Sequence, residues 1–167
     1  MLTHSLIPFI SLAYDNFLHE TVQDKVREAK ELFPGAVSIL SNSVGTDDDV
    51  NYEAAILTST NMAIPVIRHK HKKPAMGLLD EIVHHYRASM NIEPSVPIRC
   101  HEICMVGDRL LTDIVFANQL GMVSVLVAPI NSTRDHPVAV VLRYIIPPIV
   151  FGSIYVKTIC IQLHYFL

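Results

Sequence analysis

The 167-residue chain has few cysteines, no long run of basic residues and only a small net charge, and each absence excludes a class of protein. Cys100, Cys104 and Cys160 form no framework of paired spacings, so we interpret them as reduced thiols of an intracellular protein. The net charge of -3 gives no reason to expect nucleic-acid binding. The N-terminal stretch "MLTHSLIPFISLAYDN" lacks the basic start and long apolar core of a signal peptide and the arginines of a transit peptide. We therefore expect either that targeting is absent or that the true N-terminus is missing from this chain.

What the chain does have is the composition of a folded globule, with 50% hydrophobic and 17% charged residues, at a length that suits one domain. Helical periodicity covers residues 17–35, 50–60, 75–90 and 110–121, and strand candidates cover 36–40, 64–69, 101–108 and 122–129. This alternation predicts parallel βαβ units and a doubly wound, Rossmann-like α/β sheet.

Three chemically useful side chains stand at or just beyond the ends of these predicted strands. Ser41 follows the first, Lys73 lies in the "KKP" segment after the second, and Asp108 ends the third. Ligand sites of parallel sheets form at the carboxyl ends of the strands, so we expect the three side chains to converge on one edge.

Asp108 and Asp113 lie on a strand-to-helix turn, in "GDRLLTD". Carboxylates on a tight turn suit a hard cation such as Mg²⁺. Asp113 could instead orient a water ligand or cap backbone amides, and Asp108 could be a plain helix N-cap.

Ser41, Asn42 and Lys73 suggest a phosphate site. A hydroxyl and backbone N–H groups at a strand end can bind a phosphate oxygen, and a lysine nearby neutralises its charge. Each motif alone is equally typical of a common loop or a solvated basic turn. The segments "RHKHKK" and "CHEIC" offer alternative zinc ligands, but no second cluster accompanies the first, and a strand would point the members of the second to both of its faces.

Taken together, "ILSNSVGTDDD", "IPVIRHKHKKP" and "VGDRLLTDIVFAN" resemble the mitochondrial phosphatidylglycerophosphate phosphatase family of the haloacid dehalogenase-like superfamily, over residues 14–144. The resemblance implies a haloacid dehalogenase-like domain over 1–144 and Mg²⁺-dependent removal of phosphate from phosphatidylglycerophosphate on the way to cardiolipin. It also implies peripheral contact with the inner mitochondrial membrane on its matrix side. The alternatives are a phosphatase for a soluble phosphomonoester and a non-catalytic phosphate-binding protein.

Carried over by residue, the resemblance makes Ser41 the hydrogen-bond partner of the transferring phosphoryl, with Asn42 beside it in the phosphate site. It makes Lys73 the cation that stabilises the phosphoryl and positions the nucleophile. Asp108 becomes a Mg²⁺ ligand, and Asp113 the supporting acid of the same metal motif.

The chain departs from the family at the first strand, where the nucleophilic aspartate of a D-x-D motif is expected. Counting back from "AYDN", Ser5 and Ile7 stand where the two aspartates would be, and Asp15 belongs to the stretch after the motif. Covalent catalysis through an aspartyl phosphate is then impossible. We expect an N-terminally incomplete domain from a truncated gene model, because the rest of the site is intact; a true pseudoenzyme is the alternative.

Residues 145–167 form an apolar tail that is long enough to suggest a membrane span. Pro147 and Pro148 interrupt its start, and Lys157 lies near its middle, where a charge costs about 3 kcal/mol. We therefore favour sequence foreign to the fold over a membrane span, with an apolar tail packed on the globule as a third interpretation.

Overall fold

The computed structural model describes residues 7–10, 20–127 and 158–161. The strands are β1 (Ile7–Ile10), β2 (Ser38–Ile39), β3 (Ile103–Gly107), β4 (Val123–Val127) and β5 (Thr158–Ile161). The helices are α1 (Glu20–Leu32), α2 (Glu53–Met62), α3 (Leu78–Ser89) and α4 (Val115–Gln119). Two 3₁₀ turns (Val50–Tyr52 and Cys100–Glu102) and a π-helical turn (Leu110–Ile114) complete the described elements.

All the strand pairs are parallel, and their order across the sheet is β2-β1-β3-β4-β5. The predicted parallel α/β arrangement is therefore confirmed. Because the chain moves from β1 to β2 on one side and later to β3 on the other, the strand order reverses at β1. Such a reversal opens a crevice at the carboxyl ends of the strands, where α/β proteins bind ligands.

The strand predicted at 64–69 is reduced to a single parallel bridge between Ile39 and Val66. Two backbone hydrogen bonds form this bridge, from Ile39 N to Pro65 O and from Ile67 N to Ile39 O, each 2.9 Å long. The next bond, from His69 N, goes to Gly45 O at 2.9 Å, so the segment leaves β2 for the loop that follows it. The predicted strand is therefore shorter than expected, because beyond Ile67 its backbone hydrogen bonds are made with the loop after β2 and not with β2 itself.

The sheet also contains two strands that lie outside the four segments predicted above as strands. Strand β1 lies between β2 and β3, so a first strand is present although its sequence, "IPFI", contains no aspartate. Strand β5 lies in the apolar tail and pairs with β4 at the edge of the sheet. The tail residues 145–157 and 162–167 lie outside the described part of the chain. No helix within the described residues is long and apolar enough to cross a membrane.

The described residues form two apolar clusters, and neighbouring residues of one strand segment contribute to different clusters because their side chains point to opposite sides. Helices α1 and α2 contribute to the cluster that includes Val26, Val37, Ile39, Ala55, Met62 and Val66. Helices α3 and α4 contribute to the cluster that includes Leu40, Ile67, Leu78, Ile82, Met105 and Phe116. This packing fixes the ends of β2 and β3, from which the candidate site is built.

Candidate functional site

The candidate site lies at the carboxyl edge of the sheet. Ser41 comes two residues after β2, and Asp108 directly follows β3. Lys73 lies in the segment that follows the Val66 bridge to β2. The structure thus places these three predicted residues on loops that leave one edge of the sheet.

Lys73 is held by its side chain between two of these loops. Its Nζ donates to the carbonyl oxygen of Leu40 at 2.7 Å and lies 2.7 Å from Oδ1 of Asp113. Lys73 is only 5% exposed and Asp113 only 2%. A buried charge needs such partners, because its desolvation is otherwise far too costly. The ammonium group is therefore fixed next to the end of β2, where Ser41 lies.

Asn42 holds the backbone of the same lysine. Its Nδ2 donates to the Lys73 carbonyl oxygen at 2.9 Å, and its Oδ1 accepts from the Lys73 N–H at 2.8 Å. The amide side chain of Asn42 therefore makes hydrogen bonds with both the backbone N–H and the backbone carbonyl oxygen of Lys73. The predicted phosphate contact of Asn42 stays a prediction, and the contact that the structure describes is with Lys73.

The loop after β2 is organised around Ser41. Its Oγ accepts from the backbone N–H groups of Ser43 and Val44, both at 3.3 Å, and lies 3.2 Å from Ser43 Oγ. The Ser41 carbonyl oxygen lies 2.9 Å from Nε2 of His69, whose Nδ1 lies 2.6 Å from the carbonyl oxygen of His71. The buried imidazole of His69 therefore connects the Ser41 loop to the lysine segment.

Asp113 is fixed from two sides. Besides the Lys73 contact, its Oδ2 accepts from the Arg109 N–H at 3.2 Å. Gly107 leaves the space for this carboxylate, because a Cβ at that position would lie 2.3 Å from Asp113 Oδ2. A larger residue at Gly107 would displace the acid that pairs with the lysine.

Asp49 shapes the rest of the Ser41 loop. Its carboxylate accepts from the backbone N–H groups of Gly45, Ala54 and Ala55, each at 2.9 Å. Burial alone would raise the pKa of Asp49, but these three hydrogen bonds and the charge of Arg68 outweigh it and hold the pKa below its usual range. The ionised carboxylate thus ties the loop to the first turn of α2.

Asp108 and Asp113 are the predicted metal ligands, and their chemistry fits Mg²⁺. Asp108 is half-buried directly after β3. Among the described residues, no three His, Cys, Asp or Glu side chains form a group that could hold a metal ion. Mg²⁺ does not require such a group, because it is commonly bound by one or two carboxylates together with waters and substrate phosphates. The same finding gives no support to a zinc site at His69, His71, Cys100, His101 or Cys104 within that part of the chain.

Three residues that shape the site were not predicted from the sequence as functional. Asp49 carries a detectable signal, since an acidic residue shortly before a helical segment is a common helix-start feature. Gly107 is recognisable only as the residue before Asp108. The sequence suggests His69 only as a zinc ligand, because the carbonyl oxygen of Ser41, which its Nε2 contacts, lies 28 positions away in the sequence.

Comparisons with known proteins agree with the resemblance noted above. A family model described as "Mitochondrial PGP phosphatase" matches residues 9–130. The chain is 33% identical over 135 residues to phosphatidylglycerophosphate phosphatase 1, chloroplastic, of Chlamydomonas reinhardtii, covering 80% of this chain and 45% of that protein. It is 40% identical over 87 residues to the mitochondrial phosphatidylglycerophosphatase GEP4 of Saccharomyces cerevisiae, covering 52% of this chain and 43% of that protein. The chain thus spans less than half the length of these two relatives.

A crystal structure of an uncharacterized protein from Listeria monocytogenes serotype 4b has a similar fold. The TM-score is 0.51 at 17% sequence identity, with 77% of this chain and 84% of that chain covered. At this identity the similarity concerns the fold alone.

Proposed function

The chain belongs to the mitochondrial PGP phosphatase family, and from this premise we propose that it forms the phosphate-binding and metal-binding part of a phosphatidylglycerophosphate phosphatase. One observation carries the proposal: the Lys73 ammonium is buried and fixed between Leu40 O and Asp113 at the sheet edge that bears Ser41. A fixed positive charge beside a hydroxyl-bearing loop suits a phosphate monoester, because phosphoryl transfer depends mainly on positioning and charge neutralisation.

The fold we propose is the doubly wound, haloacid dehalogenase-like one. The parallel strand order and the separate apolar clusters of α1 with α2 and of α3 with α4 support it. In this arrangement Ser41 and Asn42 lie on the phosphate side of the site and Lys73 neutralises the phosphoryl oxygens. Asp113 acts through Lys73, whose ammonium it holds in place.

Asp108, with Asp113 behind it, would hold Mg²⁺. A cation bound there supplies further neutralisation of the phosphate oxygens and orients the ester. Asp108 is half-buried and directly follows β3, so it is the principal candidate ligand, and Asp113, whose oxygens contact Lys73 and the Arg109 N–H, is the supporting acid.

The location we propose is mitochondrial, at the matrix side of the inner membrane, because the yeast relative is named mitochondrial and the substrate is a membrane lipid. The product, phosphatidylglycerol, would then serve the synthesis of cardiolipin.

A second candidate, a non-catalytic phosphate-binding protein, is favoured by one specific observation. Ser5 and Ile7 stand where the family's aspartates are expected, and neither side chain can accept a phosphoryl group as a carboxylate does. On this reading the chain binds phosphate and Mg²⁺ but does not turn over.

The test compares phosphate release from phosphatidylglycerophosphate and from an aryl phosphate, with and without Mg²⁺, alongside inorganic phosphate binding by calorimetry. Release from the lipid alone supports the first function, and release from the aryl ester alone supports a phosphatase for soluble esters. Phosphate binding without turnover supports the non-catalytic protein.

In a chain that urea unfolding shows to be folded, Lys73→Met should abolish phosphate binding and any turnover that the native chain has. Lys25→Met, at an exposed lysine on α1, is the matched control. Phosphate binding that survives Lys73→Met, or that is absent from the native chain, would contradict a phosphate site at this edge of the sheet.

A further inference from the structure

His69 joins two loops of the candidate site, the β2 loop (residues 40–52) and the lysine loop (residues 68–77), in which it lies. Its backbone N–H donates to the carbonyl oxygen of Gly45 at 2.9 Å, and its Nε2 lies 2.9 Å from the carbonyl oxygen of Ser41. One residue of the lysine loop therefore holds both ends of the turn that carries the Ser41 hydroxyl group.

Both ring nitrogens of His69 face carbonyl oxygens. Besides the contact of Nε2 with Ser41, Nδ1 lies 2.6 Å from the carbonyl oxygen of His71, and the side chain is buried. A carbonyl oxygen can only accept a hydrogen bond, whereas a neutral imidazole has a single N–H to donate. A neutral ring would leave an unprotonated nitrogen against one of the two oxygens in a buried position, which is unfavourable. Only the imidazolium form satisfies both contacts.

Ionisable side chains surround these loops, but the acids among them contact other groups. Asp49 accepts from three backbone N–H groups, and Glu81 on α3 contacts His71 and the Lys70 N–H. Asp113 pairs with Lys73. The remaining charged side chains of the two loops are exposed: Asp47, Asp48, Arg68, Lys70 and Lys72. The contacts described for the His69 ring are thus carbonyl dipoles and not a carboxylate.

We propose that His69 is a positioning residue of the phosphate site, whose imidazolium form holds the Ser41 carbonyl and the lysine loop in the arrangement that binds phosphate. The inference rests on the proposed function. Lys73 donates to the carbonyl oxygen of Leu40 and His69 to that of Ser41, so two cationic side chains of one loop hold consecutive residues at the end of β2. These contacts are complete while the ring is protonated, so they weaken as the pH rises.

The first measurement is urea unfolding of the native chain and of His69→Gln, without phosphate, between about pH 5 and about pH 8, where histidines titrate. The glutamine amide nitrogen can take the place of Nε2, so this variant keeps a neutral donor for Ser41 and loses the contact with His71. The stability advantage of the native chain should be largest at the acidic end and shrink as the pH rises. A buried neutral histidine gives the opposite sign, because it must be charged at low pH.

The second measurement is calorimetry of inorganic phosphate binding at one pH, so that the ionisation of phosphate is the same for every variant. The asparagine amide nitrogen of His69→Asn can take the place of Nδ1, so this variant releases the Ser41 carbonyl. It should bind phosphate about tenfold more weakly, the loss expected for one hydrogen bond from a charged donor. His69→Gln should lose less, because Ser41 stays bonded.

The matched control is His101→Gln, which makes the same change at an exposed histidine in the 3₁₀ turn before β3. It should keep native phosphate affinity and the native dependence of stability on pH. Nitrogen-15 NMR of the native chain needs no variant. As the pH is raised, both ring nitrogens of His69 should still carry hydrogen when the exposed His101 has lost one.

Several results would overturn the inference: a native advantage over His69→Gln that grows or stays constant as the pH rises, native phosphate affinity in His69→Asn, or a His69 ring that loses its second hydrogen no later than His101. Failure of the proposed function is distinguishable, because the unfolding and NMR measurements use no phosphate. A native chain that binds no phosphate but shows the expected pH dependence would keep the imidazolium contacts and lose the phosphate site.

Discussion

The Asp113→Asn substitution removes the negative charge that faces the Lys73 ammonium while it keeps the shape of the side chain. Both residues are almost fully buried, and the nitrogen and oxygen lie 2.7 Å apart. Breaking a buried ion pair by removing one partner costs about 3–5 kcal/mol, because the other charge stays buried without compensation. Domains of this size have a free energy of unfolding of about 5–15 kcal/mol, so the loss would be a large fraction of it.

Lys73→Met should cost a similar amount, since it leaves the Asp113 carboxylate buried without its ion-pair partner and removes one hydrogen bond from the Leu40 carbonyl oxygen. The double variant Lys73→Met/Asp113→Leu removes both charges, so its loss should be no larger than that of either single variant. The assay is urea unfolding of the full chain, and Lys25→Met, from an exposed pair with Glu28, should leave the midpoint unchanged.

Single variants that each lose less than about 1 kcal/mol would refute the reasoning, because a loss this small is typical of a solvent-exposed pair. A double variant whose loss equals the sum of the two single losses would refute it as well, since independent residues add and coupled ones do not.

Three further positions and one thiol give additional expectations. Gly107→Ala should destabilise the chain and weaken phosphate binding together, because its Cβ would lie 2.3 Å from Asp113 Oδ2; a fully native unfolding midpoint would contradict this. Asn42→Ala should weaken phosphate binding about tenfold in calorimetry, because it releases the Lys73 backbone from two hydrogen bonds of about 1 kcal/mol each. An unchanged affinity would show that Lys73 is held in place without Asn42. Asp49→Asn should lower the melting temperature at neutral pH, and this effect should shrink only as the pH falls below about 4 and through the depressed pKa of the folded chain, where the carboxylate becomes protonated. A difference that does not shrink on such acidification would be evidence against the three backbone contacts. Burial raises the pKa of the Cys104 thiol to about 11. Peptide mapping after brief iodoacetamide treatment at pH 8 should therefore find Cys104 unmodified until the chain is unfolded. Rapid labelling of the folded chain would be inconsistent with a buried thiol.

Much of the fold was predictable because its signals are local. The helix over Leu78–Ser89 follows from apolar residues that repeat with the period of an α-helix, and its buried residues, Leu78, Ile82 and Tyr86, lie at that spacing. Strand β3 follows from an apolar run that ends in Gly107 and Asp108. Strand β1 has only four residues, too few for a periodic signal, and its place between β2 and β3 depends on pairing with segments far away in the sequence.

The sequence by itself determined that Ser41, Lys73 and Asp108 stand near the ends of strands, because the alternation of strands and helices is encoded in short stretches. Only the tertiary structure decided how these residues are held. The Lys73–Asp113 pair joins positions 40 residues apart, and the Asn42 contacts with the Lys73 backbone join positions 31 residues apart. The space above Gly107 is set by the local path of the backbone. Such contacts depend on the register of the sheet and on the path of its loops, and side-chain spacing along the chain carries no record of either.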